Sequence, residues 1–220
     1  MNKRNQILTI CLLSISISLA CARAAELQIT ATPRPTATPQ ATMTPIPGWK
    51  KFEGRGVELW LPESFEGGNL EEDFDLIVEK LKGLGPDFEQ LSQTLDQNRS
   101  VFAFWAFDSV VGEHGSLTSA NITSERVLSA ITIDMYLDAA VGQFPAGFTV
   151  AERGIVPIGD RDAGRLVVDF TVSGISGKEV LYAIKDGNNM WVISYGTGTD
   201  EFEGRLAVFE QSANTFSVQP

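Results

Sequence analysis

Seven consecutive residues from Val101 to Phe107, Val-Phe-Ala-Phe-Trp-Ala-Phe, are apolar without interruption. A run this short and this aromatic reads as a strand, and a strand apolar at every position must be covered on both faces. The chain therefore needs a sheet in its interior with a further layer on each side. The sequence before the run offers such layers. Asn69 stands three residues ahead of Glu72 as a capping pair, and Leu70, Phe74, Ile77, Val78, Leu81 and Leu84 recur at helical spacing until Gly83 and Gly85-Pro86 end the helix. Pro86 opens a second short helix with Phe88, Leu91 and Leu95 on one side. Further upstream, Trp49 to Glu53 and Val57-Glu58-Leu59-Trp60-Leu61-Pro62 read as two strands, the second alternating and closed by its proline.

After the run, residues 117–123 suggest a neighbouring strand, and Thr132 caps a helix that turns Tyr136, Leu137, Ala140, Val141 and Phe144 inward. Beyond Pro145 the period becomes two, over Phe148 to Pro157, Arg165 to Val172, Glu179 to Lys185 and Met190 to Tyr195. Asp186-Gly187-Asn188 joins the last two as a hairpin, since Gly and Asn accept positive φ. Asp200 with Glu203 makes a capping box for a closing helix that carries Phe202, Leu206, Phe209 and Ala213 on one stripe. This order predicts an α+β fold, a central antiparallel β-sheet flanked by helices on both faces in an α/β/α sandwich.

Not all of the 220 residues enter that fold. The start Met1-Asn2-Lys3-Arg4 is basic and Ile7 to Ala20 is apolar, the layout of an export signal too short to span a bilayer stably. Ser18-Leu19-Ala20-Cys21 resembles the bacterial lipobox, with Leu two rather than three residues before the Cys. Residues 1–21 are thus expected to be a lipoprotein signal ending at a lipidated Cys21, simple secretion with cleavage after Ala22 or Ala24 being the alternative. Cys11 lies inside the signal, so Cys21 is the one cysteine of the mature chain and no intramolecular disulfide can form. Stable anchoring then needs two or more acyl chains, as the lipoprotein resemblance implies. Residues 22–47 are a linker dominated by Thr and Pro, and its 22 residues from Glu26 to Pro47 extend up to roughly 70 Å in polyproline conformation. Residues 48–220 remain as one domain.

Charge excludes one class of partner. Four of the 17 bases and one of the 28 acids precede residue 48, which leaves the domain at −14. A nucleic-acid partner is excluded, because phosphate binding needs clustered Lys and Arg.

The folding part is similar to a known family. Trp49 with Gly56-Val57-Glu58-Leu59-Trp60-Leu61-Pro62, the helix before Phe144, Ile158-Gly159-Asp160-Arg161-Asp162-Ala163-Gly164-Arg165 and Phe209-Glu210-Gln211-Ser212-Ala213-Asn214-Thr215-Phe216 together resemble the PsbP-like superfamily, which takes in PsbP and DcrB-like lipoprotein domains. The resemblance covers about residues 49–218 and implies a central antiparallel sheet between helices in a non-enzymatic binding or assembly module. It carries over no functional residue.

The residues themselves offer little catalytic chemistry. His114 is the sole histidine, and it sits in the polar connection Gly112-Glu113-His114-Gly115 as a solvated loop residue. Most triads and zinc sites lose their parts without imidazole and thiolate. Gly196-Thr197-Gly198-Thr199 lacks the glycines and lysine of a phosphate loop and reads as a loop ahead of the Asp200 cap. Asp160-Arg161-Asp162-Ala163-Gly164 lacks the closing glutamate of a calcium loop and reads as a strand turn. Glu71, Glu72, Asp73 and Asp75 offset a helix dipole. Trp49, Trp105, Trp191 and Tyr195 are either core or an exposed binding patch, which sequence leaves open. The expectation is a lipid-anchored extracytoplasmic protein of the bacterial cell envelope with no catalytic residue, cofactor or metal. Its domain binds a protein partner in assembly or stabilisation of an envelope complex; the alternative is a small-solute or ion-binding lipoprotein.

Overall fold

The computed structural model describes residues 45–84, 89–112, 116–172 and 175–219. Ten strands and four helices alternate as β1 (Trp49–Gly54), β2 (Val57–Pro62), β3 (Phe65–Gly68), α1 (Phe74–Gly83), α2 (Glu89–Gln97), β4 (Phe102–Asp108), β5 (Ser119–Arg126), α3 (Ile133–Val141), β6 (Phe148–Ile158), β7 (Arg161–Val172), β8 (Ile175–Asp186), β9 (Asn189–Gly198), α4 (Thr199–Ala213) and β10 (Ser217–Val218). Seven strands form one antiparallel sheet in the order β3-β4-β5-β9-β8-β7-β6, and β1-β2-β10 form a second, smaller sheet. This is the expected α+β architecture with helices on both faces of a central antiparallel sheet. The small sheet is an addition, because β10 is too short to leave a periodic signal, as is β3 at the end of the large sheet.

Strand β4 is buried along its whole length, as its composition demands. Phe102, Trp105 and Phe107 face α1 and α2, where Leu70, Phe74, Ile77, Leu81, Leu91 and Leu95 close a cluster over them. Phe104 and Ala106 point to the other face, toward the small sheet and α4. A bulge between Phe102 and Phe104 shifts the alternation there. Helix α3 covers the far half of the first face by packing Leu137 on Leu166, Val168, Leu181 and Ala183. Each large side chain buried in these clusters contributes about 1.5–3 kcal/mol. On the opposite face α4 lays Phe202 and Phe209 against Tyr195, and the small sheet adds Val57, Leu59 and Leu61.

Several local expectations are corrected. Helix α1 begins four residues beyond Leu70, with Asp73 as its N-cap. Asn69 does not box with Glu72; its Oδ1 accepts from the Glu71 amide at 3.1 Å, while its own amide donates to Asp73 Oδ2 at 3.0 Å. A side-chain turn therefore comes before the helix and consumes the groups a capping box would use. Asp200 lies inside α4, whose N-cap is Gly198 without a side-chain cap. Gly196 to Gly198 belong to β9 rather than to a loop, since Thr197 is fully buried and its hydroxyl meets that of Thr118 at 2.8 Å. Thr132 does cap α3, accepting from the Met135 amide at 3.2 Å. The hairpin turn at Gly187 (φ +60°) also stands where it was expected. Residues 1–44, Gly85 to Phe88 and His114 lie outside the described residues, and with them Cys21, most of the linker and the start assigned to the second helix.

Candidate functional site

Strand β6 is one end of the large sheet, hydrogen-bonded to β7 alone. Among the described residues no strand lies beside the outer edge of its eleven residues, and Ala151 to Ile155 are all exposed. Long open edges are templates for pairing and are commonly blunted by charges, Pro and bulges; β6 has a bulge at Ala151 and Pro157 near its end. Here both charges are turned back onto the domain. A bulge at Ala151 places Glu152 on the α4 face, where Arg165 Nη1 donates to Glu152 Oε2 at 2.6 Å. Arg153 lies on the opposite face, donating to the Asp138 carboxylate and to the Asp134 carbonyl of α3. What remains exposed along the strand is Thr149, Ala151, Gly154, Ile155 and Pro157, Ile155 being 45% exposed. The other end of the sheet is β3, four residues long with β1 against it.

Next to the β6 edge, on the α4 face, lies a cavity of about 440 Å³. Its walls are the end of β6 from Val156 to Ile158 and the C-terminal part of α4 at Glu210 and Asn214, and Arg165 and Tyr182 form its floor. Asn214 pins one side by accepting from the Gly159 amide at 3.1 Å. Arg165 stands between two carboxylates, with Nη2 3.7 Å from Glu210 Oε1 in addition to its Glu152 bond. Burial opposes its charge, but Glu152 and Tyr182 outweigh that and hold the guanidinium above its ordinary value. Burial pushes the Tyr182 phenol up, and the neighbouring guanidinium offsets part of that rise. Neither Tyr182 Oη nor Arg165 Nε makes a well-aligned hydrogen bond, although the phenol and the guanidinium interact with each other. Among the described residues six buried side-chain polar atoms have no hydrogen bond of good geometry, and four of them, Arg161 Nη1 (4.0 Å from Asp186 Oδ1), Arg165 Nε, Tyr182 Oη and Trp191 Nε1, belong to this face of β7, β8 and β9. All four can donate.

The residues singled out from sequence lie elsewhere. Trp105 and Tyr195 are fully buried and Trp191 nearly so, packed against Phe216 at 6.2 Å, so no aromatic patch is formed by them. Trp49 is half-buried at the start of β1. Asp73 caps α1, Glu71 lies 3.4 Å from Arg55, and Asp160 sits in the turn between β6 and β7. No group of three or more His, Cys, Asp or Glu suited to a metal occurs among the described residues. Nor is any described helix long and apolar enough to cross a membrane. The edge and its cavity gave one sequence signal, Pro157 near the end of a strand pattern, which marks an edge. Nothing in the sequence paired Arg165 with Tyr182, since only the β7–β8 register sets them side by side.

Fold and edge together define an α+β sandwich with one open sheet end. No protein-family model matches the sequence, and no curated protein matches it. Among solved structures the fold is similar to a cyanobacterial PsbP (CyanoP) from Synechocystis, at 11% identity and a TM-score of 0.47 over 81% of this chain and 97% of that one. It is also similar to LpqN, involved in cell envelope biogenesis of Mycobacterium tuberculosis, at 10% identity and a TM-score of 0.46 over 74% and 83% of the two chains. A third is the immunity protein TplEi of the Pseudomonas aeruginosa T6SS, at 10% identity and 0.42 over 79% and 98%. The likeness to PsbP-like structures is one of fold.

Proposed function

We propose that the chain is a non-catalytic partner-binding protein of the bacterial cell envelope, tethered outside the membrane through acylated Cys21 and the 22–47 linker. Its partner is a protein that adds an extended segment to β6, in assembly or stabilisation of an envelope complex. The observation that carries this reading is the edge of β6, eleven residues long and unpaired among the described residues, with its two charges bonded inward. Main-chain hydrogen bonds along such an edge supply affinity, and side chains alternating to either face supply specificity. The Ser18-Leu19-Ala20-Cys21 sequence and the Thr/Pro tract support the tether.

The test is site-specific photocrosslinking of the full chain in its own membranes. A photoreactive residue at Thr149 or Ile155 of β6 is expected to yield one discrete crosslinked protein, absent when the same residue replaces exposed Glu203 on α4. An Ile155→Lys change, which restores an edge charge, is expected to abolish it. Equal crosslinking from both places, or none from β6, would refute strand addition.

A further inference from the structure

Strand addition at β6, on which this inference rests, fixes the backbone of the added segment and says nothing of its side chains. The charges around the edge select those. Strands β6 and β7 hold three bases, Arg153, Arg161 and Arg165, and each lies between two carboxylates. Arg153 reaches Asp138 and, at 3.8 Å, Asp134 on α3. Arg161 is 3.9 Å from Asp160 and 4.0 Å from Asp186. Arg165 is 2.6 Å from Glu152 and 3.7 Å from Glu210. All of these acids except Asp186 are more than half exposed, so solvent cations or a partner can still meet them. A base shared by two acids neutralises one and leaves the other over, which gives the β6 end a negative surplus on both the α3 and the α4 face.

This surplus is not the charge of the domain spread evenly. At the opposite end of the same sheet the ratio is reversed, because Glu66, the one acid of β3, lies 3.9 Å from Lys50 and 4.0 Å from Lys80. A strand entering beside β6 sets its side chains opposite those of β6, with Cβ atoms about 5 Å apart. On the α4 face it meets Glu152, whose Oε2 is held by Arg165 and whose carboxylate is 61% exposed, so the second oxygen is open to a cross-strand cation. An acid in that place would be repelled. We propose that the segment added to β6 is basic, with a lysine or arginine opposite Glu152 and further bases at alternate positions along it. The surplus steers the segment to this end of the sheet, and the Glu152 pair fixes its register, which main-chain bonds alone leave free to slip.

The experiment selects random 12-residue displayed peptides on the full chain and measures the enriched peptides by fluorescence anisotropy at about 50 and about 300 mM salt. Enriched peptides are expected to carry two or more Lys or Arg and to lose at least fivefold in affinity at the higher salt. Changing one of those bases to Glu is expected to cost tenfold or more. Glu152→Gln is expected to cost at least threefold, while Glu79→Gln, exposed on α1 at the other end of the sheet, leaves affinity unchanged. N-methylation of alternate peptide amides keeps the charge, and one of the two alternate sets is expected to abolish binding while the other spares it. If that pattern holds but the peptides are neutral or acidic, or salt and Glu152→Gln each change affinity less than twofold, the basic segment is wrong and strand addition stands. If neither methylated set matters, strand addition falls and the basic segment with it. A dimer of the full chain that Ile155→Lys dissociates would put a second copy on the edge and overturn the basic partner.

Discussion

Tyr182 and Tyr195 make a controlled pair. Their rings meet edge to face at 6.3 Å on one face of the sheet, and both are fully buried. Tyr195 Oη donates to Ser212 Oγ at 2.9 Å, and Ser212 donates onward to the Trp60 carbonyl at 2.6 Å, which ties α4 to the small sheet. Burial pushes the Tyr195 phenol far up, so it stays a neutral donor. Tyr195→Phe is expected to cost about 1 kcal/mol in urea unfolding, and Tyr182→Phe less, because the Tyr182 hydroxyl makes no well-aligned bond and meets only the neighbouring Arg165 guanidinium. A loss above about 1 kcal/mol for Tyr182→Phe would show that its hydroxyl is bonded. Glu125 gives a pH-dependent case. Burial raises its carboxyl while the hydrogen bond from Tyr136 opposes that rise. The folded state therefore favours the protonated form, and stability falls as pH rises from the ordinary glutamate value through the raised one. Glu125→Gln should stabilise the protein at pH 7, with the gain vanishing below about pH 4, as urea midpoints at the two pH values would show.

The glycines separate docking from local preference at the scale of elements. A Cβ at Gly54 would lie 2.2 Å from the Ala103 carbonyl oxygen, where the β1–β2 hairpin meets β4. Arg55 fastens the same contact, its amide donating to Ala103 and its guanidinium to the carbonyls of Ser100 and Phe102. Gly54→Ala should cost roughly 2–3 kcal/mol by forcing the hairpin off β4. In contrast, a Cβ at Gly204, exposed inside α4, meets nothing within 4 Å, and Gly204→Ala should stabilise by about 0.5–1 kcal/mol. Thermal or urea unfolding of the two variants measures both. Elements with a long period were legible in sequence: α1, α3, α4 and β6 to β9 all stand where their apolar spacing puts them. Helix starts were less legible, because Asn69 and Asp200 carry the residue types of caps while the chain caps with Asp73 and Gly198. Strand β3 escaped because Phe65 to Gly68 is held by a close backbone approach, in which a Cβ at Gly67 would meet the Trp105 carbonyl oxygen at 2.3 Å.

For the whole molecule, the tether and the open edge make separate predictions. Cys21→Ser is expected to move the exported chain from the detergent phase to the aqueous phase in phase partitioning, with the melting temperature of the domain unchanged. Retention in the detergent phase would refute acylation at Cys21. The two ends of the large sheet differ in kind: β3 is short and flanked, whereas β6 is long, bulged and, among the described residues, unpaired on its outer side. A domain at −14 discourages pairing with its own copy at that edge, which leaves the edge to a different chain.

Sequence alone determined the layers. An uninterrupted apolar run cannot be a surface strand, and helical and two-residue periods say which face of each element is buried, since those periods arise from the backbone itself. It did not determine the site. Gly154, Arg165 and Tyr182 are separated by turns in the chain and have no spacing that marks them. Only the antiparallel register sets them in one row, and only the strand order leaves that row open at its end. Register and strand order are properties of how segments pair across the molecule, so they became visible only once the tertiary structure had placed each strand beside its neighbour.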